Sequence, residues 1–577
     1  MKFSSAVMSL TCRIGLAQTA ALGLLVGCAG VVGTPSDEQT SSGELPSATV
    51  PGTIDGPDGL NGNVTCKAGA APESLMRRLT RFEYNNTVRD LLKLDVQPVM
   101  DFPSEEMRDG FVNNAQALIV TPILTERYLT AAEKLADAAV TQKLSALLPC
   151  DASRADADCA RAFVETFGQR AFRRPLTQSE VDVFASVYAA GAAGASPKAG
   201  VAWVIQTMLQ SPAFLYRIEN GNAPANGASK VALTPWETAS RLSYLLWGTM
   251  PDEALFEAAR AGKLTTVSDV KAQARRMLAD VKARAVIAHF HEQWFGLTEL
   301  AALEKDPKVF PAFNREIATA MTQQLQMFVD WAFFDANAGS FDHLMKAPVT
   351  FINTPLAKYY GLPDPNTGAK FALTKTDPEK YAGLLGQGGL LAGIGKSDQT
   401  SPPVRGKFVM ESLLCSPLPA PPAGLMVKPP ATNPGMTTRE RFAIHDADAA
   451  CKGCHALMDP IGLGLENFDG AGRWRDSENG KPVDASGAID EVVLDISGPF
   501  NGAAELAEKL ASSEQARDCA VTQWFRFAYG RTEGAGDDCT LAALKQRFHD
   551  SDFSLQGLVL ALTETEVFLT RNAGAQR

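Results

Sequence analysis

Five consecutive residues near the C-terminal end, Cys451 to His455, constrain this chain more than any other part of its sequence. Two cysteines three positions apart share one helical turn, and a histidine follows the second of them directly. In such a C-x-x-C-H segment the thiols form thioether bonds to haem and the neutral imidazole ligates the iron. The composition of this chain gives such a segment by chance in about two of a thousand sequences of this length. We therefore predict one covalent haem c on Cys451 and Cys454, with His455 as the proximal iron ligand.

Two other uses of a C-x-x-C pair fit the surrounding sequence less well. A redox-active disulfide usually accompanies a βαβ pattern, which is missing around Cys451. Half of a zinc site requires a second pair of cysteine or histidine ligands close by. The only close additional histidine is His445, so haem is favoured over zinc.

The sixth iron ligand stays open, because sequence spacing does not say which side chain faces the distal side of the ring. Met426 and Met436 precede the motif, and a methionine ligand gives a high reduction potential. His445 is the alternative, and a second imidazole lowers the potential, whereas an open site permits chemistry at the iron. Met458 follows His455 by three residues on the same segment, which makes it a poor candidate. Ordinary packing or surface roles fit each of these side chains at least as well.

The N-terminal segment has the features of an export signal. Lys2 and Arg13 precede an apolar run over 14–26, and a small-residue end follows. Residues 25–28 resemble the lipobox of bacterial lipoproteins, whose cleavage leaves Cys28 as a lipid-modified N-terminus. A plain secretory signal cut nearby is the alternative. Beyond Cys28 no apolar run reaches the roughly 18 residues of a spanning helix, so we expect membrane contact only through the lipid, in the periplasm or on the outer membrane.

The cysteines outside the signal and the haem motif are even in number, as expected for disulfides in an oxidising compartment. They are Cys66, Cys150, Cys159, Cys415, Cys519 and Cys539. Proximity along the chain favours Cys150 with Cys159 and Cys519 with Cys539. This leaves Cys66 to pair with Cys415.

Apolar residues at helical spacing dominate the body of the chain and predict a mainly α fold. The segments are 83–92, 124–148, 180–190, 201–216, 237–246 and 315–334. Thr177 with Glu180, and Thr234 with Glu237, have the spacing of capping boxes that start helices. The clearest strand signal is 491–496.

Composition shifts divide this helical body from flexible and proline-rich segments. The predicted organisation is a signal peptide over 1–28, a flexible linker over 29–72, an N-terminal helical module over 73–145, a second helical module over 146–225, a central helical domain over 226–375, a helical connector over 376–425 and a cytochrome c-like haem module over 426–577.

Several other functions are disfavoured by charge and spacing. A formal net charge of -11 argues against nucleic acid as a partner. Residues 393–397 resemble the end of a phosphate-binding loop, but Leu390 stands where that loop requires glycine, so no nucleotide is expected. Arg173 and Arg174 are interpreted as structural, and His289 and His291 face different sides of a helix, which disfavours a joint metal site.

Five blocks of the sequence resemble large secreted multi-domain bacterial proteins of unknown function that end in a planctomycete-type cytochrome c module. The blocks are 78–92, 170–176, 239–247 followed by Asp252 and Glu253, 400–409 and, the most specific, 451–475, with Asp459-Pro460-Ile461-Gly462 and Glu466-Asn467-Phe468-Asp469. The resemblance implies a c-type haem protein of the cell envelope and names no reaction. Unlike common cytochromes, this chain has no methionine after Met458.

The favoured function is electron transfer in the cell envelope to an unidentified redox partner protein, without predicted catalytic residues. Asp459, Glu466 and Asp469 are expected either to orient His455 through hydrogen bonds or to shape loop turns. One alternative is a haem-dependent oxidoreductase, since the roughly 350 residues before the haem module exceed what an electron carrier needs and suit a helical substrate domain. A second alternative is a structural or redox-sensing binding lipoprotein.

Overall fold

The computed structural model describes residues 75–151, 157–193, 196–222, 230–335, 339–419, 430–445, 449–490, 493 and 495–572, without the side chains of 445 and 449–452. The predicted signal peptide, the Cys28 lipidation site and the linker lie outside the described residues, as do Cys66 and Met426. The mainly α prediction is confirmed. No helix in the described ranges is both long and apolar enough to cross a membrane.

Threonine caps start several helices of the N-terminal part. Thr80 accepts a hydrogen bond from the Glu83 amide while the Glu83 carboxylate accepts one from the Thr80 amide, and Thr177 with Glu180 repeats the arrangement, as predicted. The helices are α1 (Arg81–Leu92), α2 (Pro122–Gln142), α3 (Leu144–Leu147), α4 (Ala157–Phe172), α5 (Gln178–Ala192), α6 (Pro197–Leu209) and α7 (Pro212–Leu215). The segment predicted as one helix over 201–216 is two, because Pro212 cannot donate an amide hydrogen bond within a continuous helix.

The central part begins at the predicted capping box of Thr234 and Glu237. Its helices are α8 (Pro235–Trp247), α9 (Glu253–Arg260), α10 (Val267–Leu278), α11 (Val281–Trp294), α12 (Arg315–Phe334), α13 (Phe341–Lys346) and α14 (Thr354–Tyr360). Gly248 ends α8 in the left-handed region at φ 59°, a conformation that glycine adopts at little cost.

The C-terminal part places short helices before and after the haem motif. They are α15 (Gly388–Gly393), α16 (Pro402–Lys407), α17 (Thr438–His445), α18 (Ala449–Leu463), α19 (Gly502–Ser512), α20 (Glu514–Tyr529), α21 (Asp538–Asp550), α22 (Leu555–Thr563) and α23 (Glu566–Leu569). A π-helical turn, Phe408–Leu413, continues α16.

The strands of the described residues form antiparallel pairs of two. The strands are β1 (Arg77–Arg78), β2 (Tyr216–Arg217), β3 (Lys230–Ala232), β4 (Val349–Ile352), β5 (Ala372–Lys375), β6 (Ser477–Glu478), β7 (Lys481–Pro482), β8 (Ser486–Ile489), β9 (Gly498–Asn501) and β10 (Thr570–Asn572), paired as β1–β2, β3–β10, β4–β5, β6–β7 and β8–β9. The strand predicted over 491–496 was wrong. Its described residues belong to the turn between β8 and β9, where Val493 and Ile496 satisfy the apolar pattern by packing inwards.

One hydrophobic core joins the central and C-terminal parts. It includes Phe111, runs on from Ala239 in α8 to Phe568 in α23, and continues across the predicted boundary near residue 425. Phe290 of α11 stacks on Trp524 of α20 with ring centroids 3.7 Å apart. A second core, built largely from α1 to α7, occupies the N-terminal part.

Two disulfides connect described cysteines. Cys150 bonds to Cys159, the pair that the sequence favoured, with Cα atoms 5.9 Å apart. Cys415 bonds to Cys519 at a Cα separation of 5.3 Å. The predicted pairs Cys519 with Cys539 and Cys66 with Cys415 were therefore wrong, since proximity along the chain does not report which segments the tertiary fold brings together.

Candidate haem site

Helix α18 carries the C-x-x-C-H segment on a single turn. The Cys454 thiol is free and half-buried, and its Sγ lies 3.7 Å from the carbonyl oxygen of Pro419. Gly453 borders open space, because a Cβ atom there would meet no atom within 4 Å. This turn of α18 therefore leaves room for a flat ring beside it.

His455 is held by a carboxylate one helical turn later. Its Nδ1 lies 2.8 Å from Oδ2 of Asp459, and the Asp459 side chain is 1% exposed. When Nδ1–H donates to this carboxylate, Nε2 remains as the ring nitrogen that ligates a metal. Sequence analysis left the role of Asp459 open, and the structure assigns it to the orientation of His455.

A cavity of about 380 Å³ lies against the imidazole. Its lining residues are His455, Ala456, Asp459, Pro460 and Leu463 of α18, Arg439 of α17, and Ser486, Gly487 and Ala488 of β8. A free thiol, an adjacent imidazole with one nitrogen already bound, and a cavity beside that imidazole together fit a haem c.

Two glycines set the position of α18 against α16. A Cβ atom at Gly406 would overlap the carbonyl oxygen of Met458, and one at Gly462 would overlap that of Pro402. The two backbones therefore approach more closely than any other residue type permits. The haem motif is fixed to the segment 402–407, which the sequence had assigned to a connector.

A buried arginine secures the loop that follows the motif. Arg405 donates to Oε1 of Glu466 at 3.0 Å and to the carbonyl oxygens of Leu465, Phe468 and Asp469. Burial lowers the pKa of Arg405, and the Glu466 carboxylate opposes that effect. Glu466 therefore holds the loop and does not contact His455, an arrangement that sequence reasoning missed.

Asp469 has a turn-forming role in the same loop. Its Oδ1 accepts hydrogen bonds from the backbone amides of Ala471 and Arg473, both at 2.9 Å. Of the three carboxylates singled out from the sequence, Asp459 alone has a hydrogen bond with His455 among those of the described residues.

The candidates for a sixth ligand remain predictions. Met436 is half-buried in the turn before α17, and its carbonyl oxygen accepts a hydrogen bond from Asn479. Met426 and the side chain of His445 lie outside the described residues. The backbone of Met458 packs on Gly406, so this residue belongs to the contact with α16.

Sequence reasoning also missed a larger cleft on the other side of α17. It has a volume of about 690 Å³ and is lined by aromatic rings (Phe310, Phe313, Tyr359), arginines (Arg441, Arg473, Arg475) and carboxylates (Asp306, Asp398, Asp469, Glu478), among others. Arg441 lines this cleft while Arg439 lines the cavity at His455, and residues two positions apart point to opposite sides of a helix. Side chains of α17 therefore line both spaces. No sequence pattern marks the cleft, because its walls come from distant segments.

The paired arginines and histidines of the body have structural roles. Arg173 donates to the carbonyl oxygens of Ala213, Phe214 and Tyr216, and Arg174 binds Glu180 through two hydrogen bonds. This confirms the structural interpretation of both arginines.

His289 and His291 are separated by the helix that carries them. His289 stacks on Phe82, whereas Nδ1 of His291 donates to the Ile287 carbonyl oxygen at 2.7 Å. Burial lowers the pKa of each to about 4. Across the described side chains, no three His, Cys, Asp or Glu come together as a metal cluster.

Five family models match successive parts of the chain, each described as a protein of unknown function. They are DUF1587 over 77–141, DUF1595 over 159–219, DUF1592 over 233–362, DUF1588 over 381–478 and DUF1585 over 498–568. The match over 381–478 contains the haem motif together with α16, and its name, PSCyt3, denotes a cytochrome c-type domain. No curated protein and no solved structure matches the chain.

Proposed function

We propose that this chain, which belongs to the multi-domain proteins of unknown function that combine these five domains, one of them named as a cytochrome c-type domain, is a c-type haem protein of the cell envelope that transfers electrons. One haem c would be held by thioethers at Cys451 and Cys454, with Nε2 of His455 on the iron. The bound group supplies a one-electron couple. Its redox partner is a protein that the sequence does not identify.

The observation that carries the proposal is the environment of His455. Asp459 fixes the imidazole through Nδ1, and a cavity lies against the ring. Arg439 lies in the wall of that cavity, where it pairs with Asp484. The close contact with α16 keeps the motif helix in place, so the ligand stays pre-oriented when electrons are exchanged.

The proposed location rests on the N-terminal sequence. Export through the signal over 1–28 delivers the chain to the compartment in which c-type haem is attached, and a lipid on Cys28 would tether it to a membrane. The linker over 29–72 would then act as a flexible spacer between that membrane and the folded part of the chain.

Expression in a host that matures c-type cytochromes tests the proposal. We expect a coloured protein whose pyridine haemochrome spectrum shows two thioether bonds, and a reversible one-electron couple by spectroelectrochemistry. Cys454→Ser leaves one thioether and shifts the haemochrome band, whereas the double variant Cys451→Ser, Cys454→Ser carries no covalent haem. A colourless wild-type protein in which both thiols are alkylated contradicts the proposal.

A second candidate function, a haem-dependent oxidoreductase, is favoured by the 690 Å³ cleft. Helix α17 contributes Arg441 to this cleft and Arg439 to the cavity at His455, and a helix with its side chains is only about 10 Å across. Aromatic rings in the cleft wall suit a small aromatic reductant, each molecule of which would reduce two haems on conversion from hydroquinone to quinone.

Hydroquinone is therefore a suitable probe of the cleft. Ser477 lies exposed in the cleft wall, so Ser477→Trp fills the cleft without a change at His455. We expect this variant to slow haem reduction by hydroquinone at least about tenfold while reduction by dithionite is unchanged. The control is Ser179→Trp, at an exposed serine of α5. Equal rates in all three proteins argue for electron transfer without a substrate site in the cleft.

A further inference from the structure

Asp459 stands out among the described residues of the haem module because its buried carboxylate bonds directly to the predicted iron ligand. Oδ2 of Asp459 lies 2.8 Å from Nδ1 of His455, and the side chains are 1% and 11% exposed. Burial of a carboxylate costs free energy unless hydrogen bonds compensate for the lost water. The hydrogen bond to the His455 imidazole provides part of that compensation.

We propose that Asp459 is a positioning residue that raises the donor strength of His455 and thereby holds the haem at a low reduction potential. This inference rests on the proposed haem site and adds what determines its redox behaviour. A carboxylate that accepts the Nδ1 proton gives the imidazole partial anionic character, and a more basic ligand favours the oxidised, more positively charged iron. A neutral acceptor at the same place would have a weaker effect.

The helix enforces the contact through local geometry. Residues four positions apart in α18 lie one above the other on the same face, which brings the Asp459 carboxylate to the His455 ring. The aspartate side chain is short, so little conformational entropy is lost when it is held in place. Pro460 follows within the helix, and the carbonyl oxygen of Met458, just before Asp459, meets Gly406 of α16. Backbone contacts on both sides of Asp459 therefore limit how far the carboxylate can move.

Other charges near the imidazole are engaged elsewhere. Arg439, the one arginine in the lining of the 380 Å³ cavity, pairs with Asp484 at 3.2 Å and donates to backbone carbonyl oxygens of Asp484 and Ser486. The remaining lining residues of that cavity apart from His455 and Asp459 carry no charge. Among the charged side chains that line this cavity, Asp459 is the one with a hydrogen bond to His455 in the described residues.

The test compares reduction potentials of haem-loaded proteins by spectroelectrochemistry. Asp459→Asn keeps the shape and a hydrogen-bond acceptor but removes the charge, and we expect about a tenfold shift towards reduced haem, which is about 59 mV for one electron. Asp484→Asn is the matched control, because it removes a carboxylate beside the same cavity that does not contact His455. Asp459→Glu keeps the charge and is expected to restore most of the low potential. Where the ferrous iron is five-coordinate, the iron–histidine stretching band of Asp459→Asn is also expected at lower frequency.

The outcomes separate this inference from the proposed function. Haem-loaded Asp459→Asn with a potential equal to those of wild type and Asp484→Asn overturns the inference and leaves the haem site intact. A wild-type protein without covalent haem overturns the proposed function itself. If Asp459→Asn does not retain haem, Asp459→Ser provides the same neutral substitution in a smaller side chain, and the same rise in potential is required of it.

Discussion

Arg405 and Glu466 form an ion pair that is closed to solvent. Arg405 Nη1 lies 3.0 Å from Glu466 Oε1, and the two side chains are 0% and 3% exposed. Arg475 and Thr400 donate to the other carboxylate oxygen at 2.8 Å each. This network joins α16 and Thr400 before it to the loop that follows α18, so its loss is expected to destabilise the contact between these segments.

Arg405→Lys tests this role. A lysine cannot reach the carboxylate and three carbonyl oxygens at once, so acceptors are left buried without partners. We expect the free energy of unfolding in urea to fall by about 1–3 kcal/mol for each buried acceptor that is left without a partner. The control Arg276→Lys changes an exposed pair with Asp252 and is expected to cost less than about 1 kcal/mol. Equal effects of the two substitutions would show that the buried network is not stabilising.

The close contact of α16 and α18 at Gly406 leads to a second prediction, on the effect of a larger side chain there. Gly406→Ala forces its methyl group against the carbonyl oxygen of Met458, which separates the helices and costs about 1–3 kcal/mol or more. Thermal unfolding and the haem content after maturation measure the effect. Gly453→Ala is the matched control on α18 for thermal unfolding of the haem-free protein, because its methyl group meets open space there and alanine favours a helix by about 0.5–1 kcal/mol over glycine. A lower melting temperature for Gly453→Ala than for Gly406→Ala would contradict this account.

The sequence predicted the local features of this molecule best. Capping boxes at Thr177 and Thr234 begin helices where expected, because their hydrogen bonds span only three residues. The contact of Asp459 with His455 could be anticipated for the same reason, since four positions on a helix fix the geometry. Interactions between residues within one helical turn can therefore be predicted from the sequence without knowledge of the tertiary fold.

Features that depend on distant segments were missed or wrong. Arg405 and Glu466 are 61 positions apart, and no local sequence pattern predicts that they form an ion pair. The Cys415 and Cys519 thiols meet because the π-helical turn after α16 packs on α20, whereas proximity had favoured Cys539 for Cys519. The cleft beside α17 is likewise a product of packing between segments.

The two disulfides that connect described cysteines are expected to stabilise the fold by different amounts. Cys415 and Cys519 are 104 positions apart, whereas Cys150 and Cys159 are 9 apart. Loss of the longer crosslink releases more conformational entropy in the unfolded chain, and the chain-entropy relation gives a difference of about 2 kcal/mol. Urea unfolding of the double serine variants measures it. A larger loss from the Cys150 and Cys159 variant would mean that native contacts, and not loop length, dominate.

Buried His291 predicts a pH dependence of stability. Burial lowers the pKa of His291 from 6.5 to about 4, so between these values the unfolded chain binds a proton that the folded chain excludes. Stability from this residue is therefore fully present above pH 6.5 and is lost as the pH falls towards 4, by about 3 kcal/mol. His291→Leu is expected to reduce the slope of the unfolding free energy against pH between pH 5 and 7, measured in urea, while His289 keeps its own contribution. His549→Leu removes a histidine whose side chain is 72% exposed, and it is expected to leave the slope unchanged. An unaltered slope in His291→Leu would place the acid sensitivity elsewhere in the chain.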